Sequence, residues 1–579
     1  MKKKSREKLY NPEKVNNFKE LINRSVKLYP NHIAFKYKLN PKDTNVITIT
    51  YSKFKKDIDR LGTALFDLGL RDKRIIVISP NRYEWCVSYL AITTGNMVVV
   101  PLDKSLPENE LIDSVVRSEA DAVIFDKKYI DTFHKIKESN SSNLKTYICM
   151  DTEDNDEFIL SYKKLLNRGK ELIENGDYSH INAEIDNKKM SVMLFTSGTT
   201  SLAKIVMLSH YNICSNVYSL ACMAKVTDKD TFLSFLPLHH TYESTTTFLY
   251  GLYCGITIAF CDGLRHIVNN LKEYQITGFV TVPVLLETMY KKILQGIEKQ
   301  GKTELFNRMI KISNFLLKFK IDIRRILFKS VLNQLGGHLR VVVYGAAPID
   351  RNTVIGLSSI GINMLNGYGL TETSPVLSAE NDKYKRPGSV AFPMPGMQIK
   401  IENPDENGLG EVCAKGPCVM LGYYKNEEAT NEALKDGWFH TGDLGYYDKD
   451  GYLFISGRKK NVIVLKNGKN VFPEEIEILI SKLPYVVENM IYARPKDEDI
   501  IVAVKIVYNK DIMKEMFPDA TEDEYHDIIW KDIKAINKTM PKYKYIKHLI
   551  VTDKPMIKTT TQKIKRHEEI KKILEKPVD

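Results

Sequence analysis

A short segment rich in hydroxyl side chains has the composition of a phosphate-binding loop. Residues 194–204 read LFTSGTTSLAK and follow an apolar run that ends at Phe195. Hydroxyl and backbone N–H donors in this segment can surround phosphate oxygens, and Lys204 supplies a positive charge. The sequence contains neither the GxxxxGK[ST] pattern of a Walker loop nor the GxGxxG pattern of a dinucleotide site. Taken alone, the segment is better explained as a Ser/Thr-rich surface turn.

Four segments further along the chain offer the other groups that a nucleotide site needs. Residues 344–348 (YGAAP) end an apolar run with small side chains, which lets a flat ring approach the backbone. Residues 366–373 (NGYGLTET) supply an aromatic face, a hydroxyl group and a carboxylate suited to Mg²⁺. Residues 437–443 (GWFHTGD) place an acid that suits a ribose diol, and residues 456–460 (SGRKK) carry a basic cluster. Each segment also has a simpler explanation: a strand end, a tight turn, a hairpin or a solvated charge.

The elements that must position these groups can be predicted from short runs of β-branched or apolar residues. Between about residues 50 and 400 such runs alternate with helical patterns, at 74–80, 97–103, 121–126, 146–151, 232–237, 255–260, 278–283 and 339–345. Runs of this kind between helices are typical of strands buried on both faces of mainly parallel sheets. We therefore predict an α/β fold of stacked, mostly parallel sheets with helices.

One segment inside this body departs from the alternation and predicts a helical insertion. Residues 291–337 carry Met309, Ile312, Phe315, Leu316 and Phe319 at helical spacing, with Lys and Arg between them. The segment can be a helix packed on the body with a solvated basic face. It can also be a basic amphipathic patch that rests on a membrane surface near an apolar substrate.

The sequence predicts two domains of unequal size. After Pro387 short runs separated by Gly and Asp-Gly turns indicate hairpins, and beyond Arg458 the pattern is that of a small α+β unit. We predict a large N-terminal domain at 1–457, with the helical insertion at about 291–337 and a β-rich subdomain at about 387–457. The small C-terminal domain is predicted at 461–579.

The composition is that of a folded globular protein. Of 579 residues, 43% are hydrophobic and 27% are charged, which is near the average for such proteins. The net charge of +12 suits anionic partners and selects none of them. The basic N-terminus leads into no apolar stretch, so we expect a cytoplasmic protein. The eight scattered cysteines form no CxxC pair, and we expect them to be small buried residues.

In their order and spacing, the polar segments resemble the adenylate-forming superfamily of acyl-CoA synthetases, firefly luciferase and the adenylation domains of nonribosomal peptide synthetases. The resemblance runs from about residue 30 to 567 and is most specific at YGLTE (368–372) and WFHTGDLG (438–445). It implies an enzyme that uses ATP and Mg²⁺ to convert a carboxylic acid into an acyl-adenylate and then transfers the acyl group to a thiol. It also implies that the small C-terminal domain is mobile.

The resemblance assigns an ATP site by matching positions. Residues 196–204 become a mobile loop on the ATP phosphates, with the members Thr196, Ser197, Gly198, Thr199, Thr200 and Lys204. The adenine is lined by Gly345, Ala346, Ala347 and Gly367, and Tyr368 stacks on it, followed in the same segment by Gly369 and Leu370. Thr371 contacts the α-phosphate, and Asp443 and Arg458 bind the ribose hydroxyls.

The same matching implies the groups that act in the reaction. Glu372 holds Mg²⁺ together with Ser197, and Lys204, Thr371 and Lys563 act with them at the phosphates. Lys563 bridges the substrate carboxylate and the α-phosphate. His240 lies beside the acyl carboxylate, although this histidine pair can also be a structural turn. Lys460 is the hinge, and Gly468 approaches the thiol tunnel after rotation of the small domain.

The chain departs from the family pattern at four positions. Ser201, Ala203 and Ile205 replace the usual Gly, Pro and Gly of the loop, and Gln562 replaces a Gly before the C-terminal lysine. These changes reduce backbone freedom and leave every expected charge and hydroxyl group in place. We therefore expect slower or altered loop motion in an active enzyme.

Two segments favour a fatty acid as the substrate. The insertion at 291–337 and FLPLHHTYE (235–243) are more similar to bacterial long-chain fatty-acid synthetases than to short-chain or aryl ones. CoA is the expected acceptor because no carrier-protein domain follows Lys563, and an acyl carrier protein acting in trans is the alternative. A non-catalytic nucleotide- or lipid-binding relative is the other alternative. We expect no nucleic-acid partner, and membrane association at the inner face of the cytoplasmic membrane is left open.

Overall fold

The structure is a computed structural model of the whole chain. It describes residues 6, 8–196, 203–466, 468–496, 499–558 and 564–575. Six expected site residues or loop positions, Ser197, Gly198, Thr199, Thr200, Ser201 and Lys563, lie outside these ranges, as does Gln562.

The strands are numbered in chain order. They are β1 Ile33–Tyr37, β2 Ile47–Thr50, β3 Arg74–Ile78, β4 Val98–Pro101, β5 Ala122–Phe125, β6 Thr146–Cys149, β7 Leu160–Ser161, β8 Met190–Phe195, β9 Ile205–Ser209, β10 Thr231–Ser234, β11 Thr257–Phe260, β12 Gly278–Thr281, β13 Val341–Gly345, β14 Asn363–Gly369, β15 Val376–Ala379, β16 Phe392–Pro393, β17 Gln398–Glu402, β18 Gly410–Lys415, β19 Gly422–Tyr423, β20 Leu434–Lys435, β21 Trp438–Tyr447, β22 Leu453–Arg458, β23 Ile463–Val464, β24 Asn470–Val471, β25 Val486–Lys496, β26 Asp499–Tyr508 and β27 Ile546–Thr552.

The α-helices are numbered in the same way. They are α1 Phe18–Leu28, α2 Tyr51–Asp67, α3 Tyr83–Thr93, α4 Glu108–Ser118, α5 Ile130–Ser139, α6 Tyr162–Glu174, α7 His210–Met223, α8 Thr241–Glu243, α9 Tyr250–Cys254, α10 Ile267–Glu273, α11 Pro283–Lys299, α12 Thr303–Lys318, α13 Arg324–Leu327, α14 Lys329–Gln334, α15 Arg351–Ser359, α16 Glu427–Ala433, α17 Pro473–Ile480, α18 Lys510–Met516, α19 Tyr525–Asn537 and α20 Arg566–Leu574. Among the described residues, none of the helices is long and apolar enough to cross a membrane.

Two large sheets form the body of the protein. One has nine strands in the order β16-β15-β14-β13-β12-β10-β11-β1-β2, and the other has eight in the order β19-β9-β8-β4-β3-β5-β6-β7. The central strands of both sheets run parallel; antiparallel pairs occur at both ends of the nine-stranded sheet and at the β19-β9-β8 end of the eight-stranded one. All eight predicted runs are strands of these sheets, so the predicted α/β class with mostly parallel sheets is confirmed.

The core lies between these sheets and the helices that cover them. Phe18 of α1, Phe35 of β1, Phe54 of α2 and Trp85 of α3 are fully buried in one continuous apolar cluster. Parallel strands covered by helices on both faces must be apolar on both faces, which explains why their sequences are continuous apolar runs rather than alternating ones. Seven of the eight cysteines are buried, as their scattered positions predict.

A five-stranded antiparallel sheet follows the body, and a smaller α+β unit ends the chain. The antiparallel sheet contains β17, β18, β20, β21 and β22. A 3-10 turn at Lys459–Asn461 connects β22 to the small unit, which has the hairpin β23-β24 and the three-stranded sheet β25-β26-β27. Pro473 is the first residue of α17, where its missing N–H costs no helical hydrogen bond.

The helical insertion is divided into several helices rather than one. Helix α11 already begins at Pro283, before the predicted start, and α12, α13 and α14 follow it. Gly301 (φ +64°) separates α11 from α12, and Lys320 (φ +63°) follows the end of α12. Both residues have a left-handed backbone conformation that ends an α-helix. Helix α12 packs on α11 and α15.

Candidate active site

Strands β13 and β14 end side by side and leave an open strip of backbone. They pair in parallel, with Gly345 opposite Gly367. A Cβ atom at Gly345 would overlap the carbonyl oxygen of Gly367, so this position requires glycine. Ala346 has a left-handed conformation with φ +70°, and both Ala346 and Ala347 are exposed. The strip is therefore accessible to a flat ligand at the carboxyl edge of the sheet, where α/β proteins bind their ligands.

Tyr368 lies beside this strip and is held by an acid from a different sheet. Its hydroxyl group donates a hydrogen bond to Oδ2 of Asp443, at 2.7 Å. Burial, with the Asp443 carboxylate as the next cause, raises the pKa of Tyr368 well above its usual value. The phenol therefore stays neutral and remains a donor, and its ring is fixed in place next to Gly367.

Asp443 is paired a second time, with Arg458. The two residues face each other directly on the antiparallel strands β21 and β22. Arg458 Nε lies 2.9 Å from Asp443 Oδ1, and the Asp443 side chain is only 5% exposed whereas that of Arg458 is 42% exposed. The Asp443 carboxylate raises the pKa of Arg458. The buried Asp443 carboxylate therefore holds the Arg458 side chain in place, and the guanidinium group of Arg458 reaches solvent.

Glu372 is connected to the predicted phosphate loop through Tyr423. Glu372 lies in the 3-10 turn Thr371–Thr373, and the Tyr423 hydroxyl donates a hydrogen bond to its Oε1, at 2.9 Å. Lys204 Nζ lies 4.8 Å from the centroid of the Tyr423 ring. Lys204 and Glu372 thus contact the same tyrosine, Lys204 at its ring and Glu372 at its hydroxyl group.

Strand β19 connects the turn that contains Glu372 with strand β9, which directly follows the predicted phosphate loop. Its two residues, Gly422 and Tyr423, pair with Met207 and Val206 of β9. The Met420 N–H donates to the Glu372 carbonyl oxygen, at 2.8 Å. Tyr423 is absent from the residues predicted from the sequence. A strand of two residues carries no hydrophobic periodicity that could have indicated it.

Hydrogen bonds fasten the described ends of the predicted phosphate loop. The Thr196 N–H donates to the Lys204 carbonyl oxygen at 2.9 Å, and Thr196 Oγ1 donates to the same oxygen at 3.1 Å. The Arg117 guanidinium donates to the Ala203 carbonyl oxygen. These bonds continue the β8-β9 pairing, in which Phe195 faces Ile205.

His240 caps the short helix α8 and lies near the same strand ends. Its Nδ1 accepts a hydrogen bond from the Tyr242 N–H, at 3.2 Å. The Tyr242 hydroxyl donates to the carbonyl oxygen of Thr281, the last residue of β12, at 3.2 Å. A Cβ at Gly345 would lie 3.4 Å from the Tyr242 hydroxyl. The histidine segment is therefore anchored to the edge where β12 and β13 end.

A buried glutamate lies directly behind the histidine segment and was not predicted. Glu243 is fully buried, and the π-helix Ser244–Leu249 follows it. The Thr247 hydroxyl donates to its Oε2 at 3.0 Å, but burial dominates and raises the pKa of Glu243 to about 8. Burial therefore favours the neutral, protonated form of Glu243. Its sequence signal, an acid followed by four hydroxyl or small polar residues, does not reveal burial.

The predicted hinge lies next to Arg458, one of the predicted nucleotide-binding residues. In the turn after Arg458, Lys459 Nζ lies 3.1 Å from Glu411 Oε2. Burial, with Arg458 as the next cause, lowers the pKa of Lys460. Asn461 Nδ2 donates to Oε1 of Glu474 in the first turn of α17, at 2.8 Å. These contacts connect the last strand of the β-rich sheet with the small unit.

Two lysines join the small unit to the body on the side of α11 and α15. Lys482 Nζ lies 3.3 Å from Oδ1 of Asp350, three residues after Ala347. Lys291 of α11 donates to the Pro484 carbonyl oxygen. Gly468 lies in the exposed turn between β23 and β24, where a Cβ would meet no atom within 4 Å.

Glu372 fits a magnesium ion that is bound mainly through phosphates. Among the described residues no group of three or more His, Cys, Asp or Glu side chains could hold a metal by itself. Mg²⁺ in nucleotide enzymes is usually bound by one or two carboxylates together with substrate phosphates. A single half-buried carboxylate, oriented by the hydroxyl group of Tyr423, whose ring also contacts Lys204, matches that ligand set.

Comparison with known proteins gives matches over almost the whole chain. Residues 22–424 match the family described as AMP-binding enzyme, and residues 460–576 match the AMP-binding enzyme C-terminal domain. The chain is 28% identical to fatty acyl-CoA synthetase B of Dictyostelium discoideum, over 91% of this chain and 84% of that protein. It is 32% identical to long-chain-fatty-acid–CoA ligase 5 of Rattus norvegicus, over 75% of this chain and 67% of that protein.

The fold is also that of solved structures. The crystal structure of ATP-bound MatB from Rhodopseudomonas palustris superposes with a TM-score of 0.73 at 22% identity, over 96% of this chain and 99% of that one. The resemblance predicted from YGLTE and WFHTGDLG is confirmed by the two family matches. With 22–424 and 460–576 both matched, the chain belongs to the AMP-binding enzyme family.

Proposed function

We propose that this protein is a long-chain fatty-acid–CoA ligase that works through an acyl-adenylate. The observation that carries the proposal is two sets of contacts that meet in the segment 368–372, directly after the pairing of β13 and β14. One set joins Arg458 to Asp443 and Tyr368. The other joins Lys204 to Tyr423 and Glu372. Residues separated by up to 254 positions in the sequence thereby come together at this segment. The names of the relatives supply the substrate class.

The nucleotide is proposed to lie along the open backbone strip. Adenine fits against Gly345, Ala346, Ala347 and Gly367, with the Tyr368 ring on its face and Gly369 and Leu370 at its edge. The exposed Arg458 guanidinium and the Asp443 carboxylate bind the ribose hydroxyls. Thr371 contacts the α-phosphate. The phosphate loop, with Thr196, Ser197, Gly198, Thr199, Thr200 and Lys204, contacts the remaining phosphates.

Glu372 is proposed to hold Mg²⁺ together with Ser197 and the ATP phosphates. The ion supplies positive charge where negative charge accumulates during phosphoryl chemistry. Tyr423 keeps the Glu372 carboxylate oriented through its hydrogen bond. Lys204 adds a second positive charge on the same side of the nucleotide.

Two steps account for the reaction. A carboxylate oxygen of the fatty acid attacks the α-phosphorus of ATP, the bond to the β-phosphate oxygen breaks, and pyrophosphate leaves. Lys563 and Lys204 neutralise charge at the phosphates, and His240 lies beside the carboxylate. The thiol of CoA gives up its proton to water, its sulfur attacks the acyl carbon, the bond between that carbon and the phosphate oxygen breaks, and AMP leaves with the electron pair of that bond. The products are acyl-CoA, AMP and pyrophosphate.

The two steps require different arrangements of the small domain. We propose a large domain at 1–457 and a small domain at 461–579 that rotates about Lys460. Rotation withdraws Lys563 after the first step and brings the turn around Gly468 toward the thiol. A turn outside the packed core can absorb such a backbone change, which is the usual property of hinge residues.

The acceptor is proposed to be CoA, with an acyl carrier protein as the second candidate. The net charge of +12 suits both, because CoA and carrier proteins are anionic. The deciding experiment supplies ATP, Mg²⁺, a panel of fatty acids of different chain length and either thiol, and measures AMP and pyrophosphate. We expect sustained release of AMP only when fatty acid and thiol are both present, with a maximum among long chains.

A second measurement separates the ligase from a non-catalytic relative. A protein that only binds nucleotide or lipid would bind ATP and show no fatty-acid-dependent exchange of pyrophosphate into ATP. We expect this exchange without any thiol. Absence of exchange across the whole panel of acids would exclude the proposed reaction.

A further inference from the structure

Helix α12 and the segment after it carry an exposed apolar stripe, which we define as Leu305, Ile312, Phe315, Phe319, Ile321 and Ile326. All six side chains are exposed, Phe319 to 63% and Ile326 to 75%. Leu305, Ile312, Phe315 and Phe319 fall within an arc of about 80° when the helix turns 100° per residue. The rings of Phe315 and Phe319 lie 5.3 Å apart and form a paired aromatic projection. Several exposed apolar side chains on one face of a helix are typical of an interaction site.

The stripe is not the face by which α12 packs on the protein. Phe306 and Ser313 are buried on a different side of the helix, about 100° around from the stripe. On the body side, Asn314 Nδ2 lies 3.4 Å from Ser359 Oγ at the end of α15. The helix therefore has a complete packing face of its own, and the stripe is additional apolar surface.

Positive charge is concentrated around the stripe. Residues 302–329 contain eight Lys or Arg and two acidic residues, a net charge of +6 and half of the +12 of the whole chain. Arg308, Lys311 and Lys318 lie on α12 itself, and in the part of the chain that the structure describes none of them pairs with a carboxylate. Elsewhere on the surface Lys135, for example, is paired with a glutamate.

We propose that the stripe and its flanking cations dock on the surface of an anionic phospholipid bilayer. Apolar side chains enter the boundary between headgroups and acyl chains, and the cations contact lipid phosphates. A second copy of this chain is a poorer partner for the stripe, because two segments that each carry a net charge of +6 would face each other. Nucleic acid would use the cations and leave the apolar stripe without a role.

The position of the stripe relative to the candidate active site indicates what contact with a membrane would do. Helices α11 and α15, on which α12 packs, both begin near the candidate site: α11 starts two residues after β12 ends, and α15 starts four residues after Ala347. In this respect the inference rests on the proposed function. A fatty acid dissolved in the membrane would reach the enzyme on the side of these helices.

Vesicle binding tests the inference without the reaction. The full-length protein is sedimented with vesicles of phosphatidylcholine alone or mixed with phosphatidylglycerol, without ATP or fatty acid. We expect binding to the anionic vesicles that weakens with added salt. Phe315→Ser with Phe319→Ser should lower the partition coefficient by about tenfold or more. Arg308→Gln with Lys311→Gln and Lys318→Gln should do the same.

Matched controls change the same residue types on other surfaces. Leu28→Ser with Tyr178→Ser removes two exposed apolar side chains, and Lys42→Gln with Lys145→Gln and Lys188→Gln removes three exposed charges. Both should bind vesicles like the unmodified protein. Failure of that protein to bind anionic vesicles, or equal losses in the controls, would overturn the inference. So would self-association that disappears in the phenylalanine variant while vesicle binding persists. AMP release with dispersed fatty acid is measured separately and alone decides the reaction.

Discussion

Arg458 and Asp443 face each other across two antiparallel strands, with the arginine Nε 2.9 Å from the carboxylate Oδ1. The other carboxylate oxygen accepts a hydrogen bond from Tyr368. One buried acid thereby fixes both a guanidinium group that reaches solvent and an aromatic ring beside an open backbone strip. The fold uses a contact between two sheets to assemble groups that are suited to a nucleoside.

Asp443→Asn tests the nucleoside assignment. The substitution keeps the shape and removes the charge that orients Arg458 and accepts from Tyr368. Hydrogen bonds to charged groups contribute about 1.5–3 kcal/mol each, so the KM for ATP should rise by about tenfold or more. Steady-state kinetics at varied ATP measure this. Asp519→Asn, at an exposed position of the small unit, is the control. An unchanged KM for ATP would contradict the assignment.

Tyr423→Phe tests the proposed magnesium site. Loss of the hydroxyl group leaves the Glu372 carboxylate without the donor that orients it. We expect the Mg²⁺ concentration for half-maximal AMP release to rise by about three- to tenfold, the equivalent of one hydrogen bond. Tyr424→Phe is the matched control, since that hydroxyl group donates to Glu119 instead. Equal effects of the two substitutions would argue against a specific role of Tyr423.

Glu243→Gln should change the pH dependence of stability. The pKa of Glu243 is raised by burial to about 8 from a usual value of 4.5. Between these values the unfolded chain loses the proton and the folded chain keeps it. The free energy of unfolding therefore falls as pH rises, by up to about 1.4 kcal/mol per pH unit. The Glu243→Gln variant has no ionisable group at this position, so its free energy of unfolding does not fall with pH for this reason.

Thermal unfolding between pH 5 and about 8 measures the difference. The melting temperature of the glutamine variant should rise relative to the unmodified protein as pH increases. Glu184→Gln, at an exposed position, should leave the pH dependence unchanged. Parallel pH profiles for the protein and the Glu243→Gln variant would show that this carboxyl group is ionised in the folded state.

Lys563→Ala tests the two-step assignment. We expect loss of fatty-acid-dependent pyrophosphate exchange, because a charge at the α-phosphate is removed, with thiolysis of a supplied acyl-adenylate largely preserved. Lys558→Ala and Lys565→Ala are controls from the same segment, since these lysines pair with Glu488 and Glu568. Equal loss of both steps in Lys563→Ala would refute the proposed rotation of the small domain.

The sequence predicts the sheets well for a physical reason. Strands such as Arg74–Ile78 and Val341–Gly345 lie between helices and are apolar on both faces, so each appears as a short continuous apolar run. The helical insertion was predicted less well in detail. Its breaks at Gly301 and Lys320 are single left-handed residues, and a lysine at such a position carries no turn signal of its own.

The contacts of the candidate site depend on tertiary packing and could be predicted only in part. Motif residues such as Tyr368 and Asp443 were identified, but their direct hydrogen bond spans 75 positions and two sheets. Tyr423 was missed because it lies in no segment with a chemical signature, and Glu243 was missed because its place at the end of FLPLHHTYE (235–243) does not reveal its burial. Ile205, which differs from the family's usual glycine, is 4% exposed and packs with Met193, so apolar packing explains this departure.

The end of β22 has a thermodynamic consequence. Arg458 is the last residue of that strand, and the next residue begins the turn into the small unit. Suppose that a ligand bound at Arg458 shifts the equilibrium of the small unit toward one orientation by a given factor. The protein in that orientation then binds the ligand more tightly by the same factor. In the proposed mechanism, occupancy of the nucleoside site and orientation of the small unit are therefore coupled variables. Measuring nucleotide affinity under conditions that change the orientation would therefore report the coupling free energy directly.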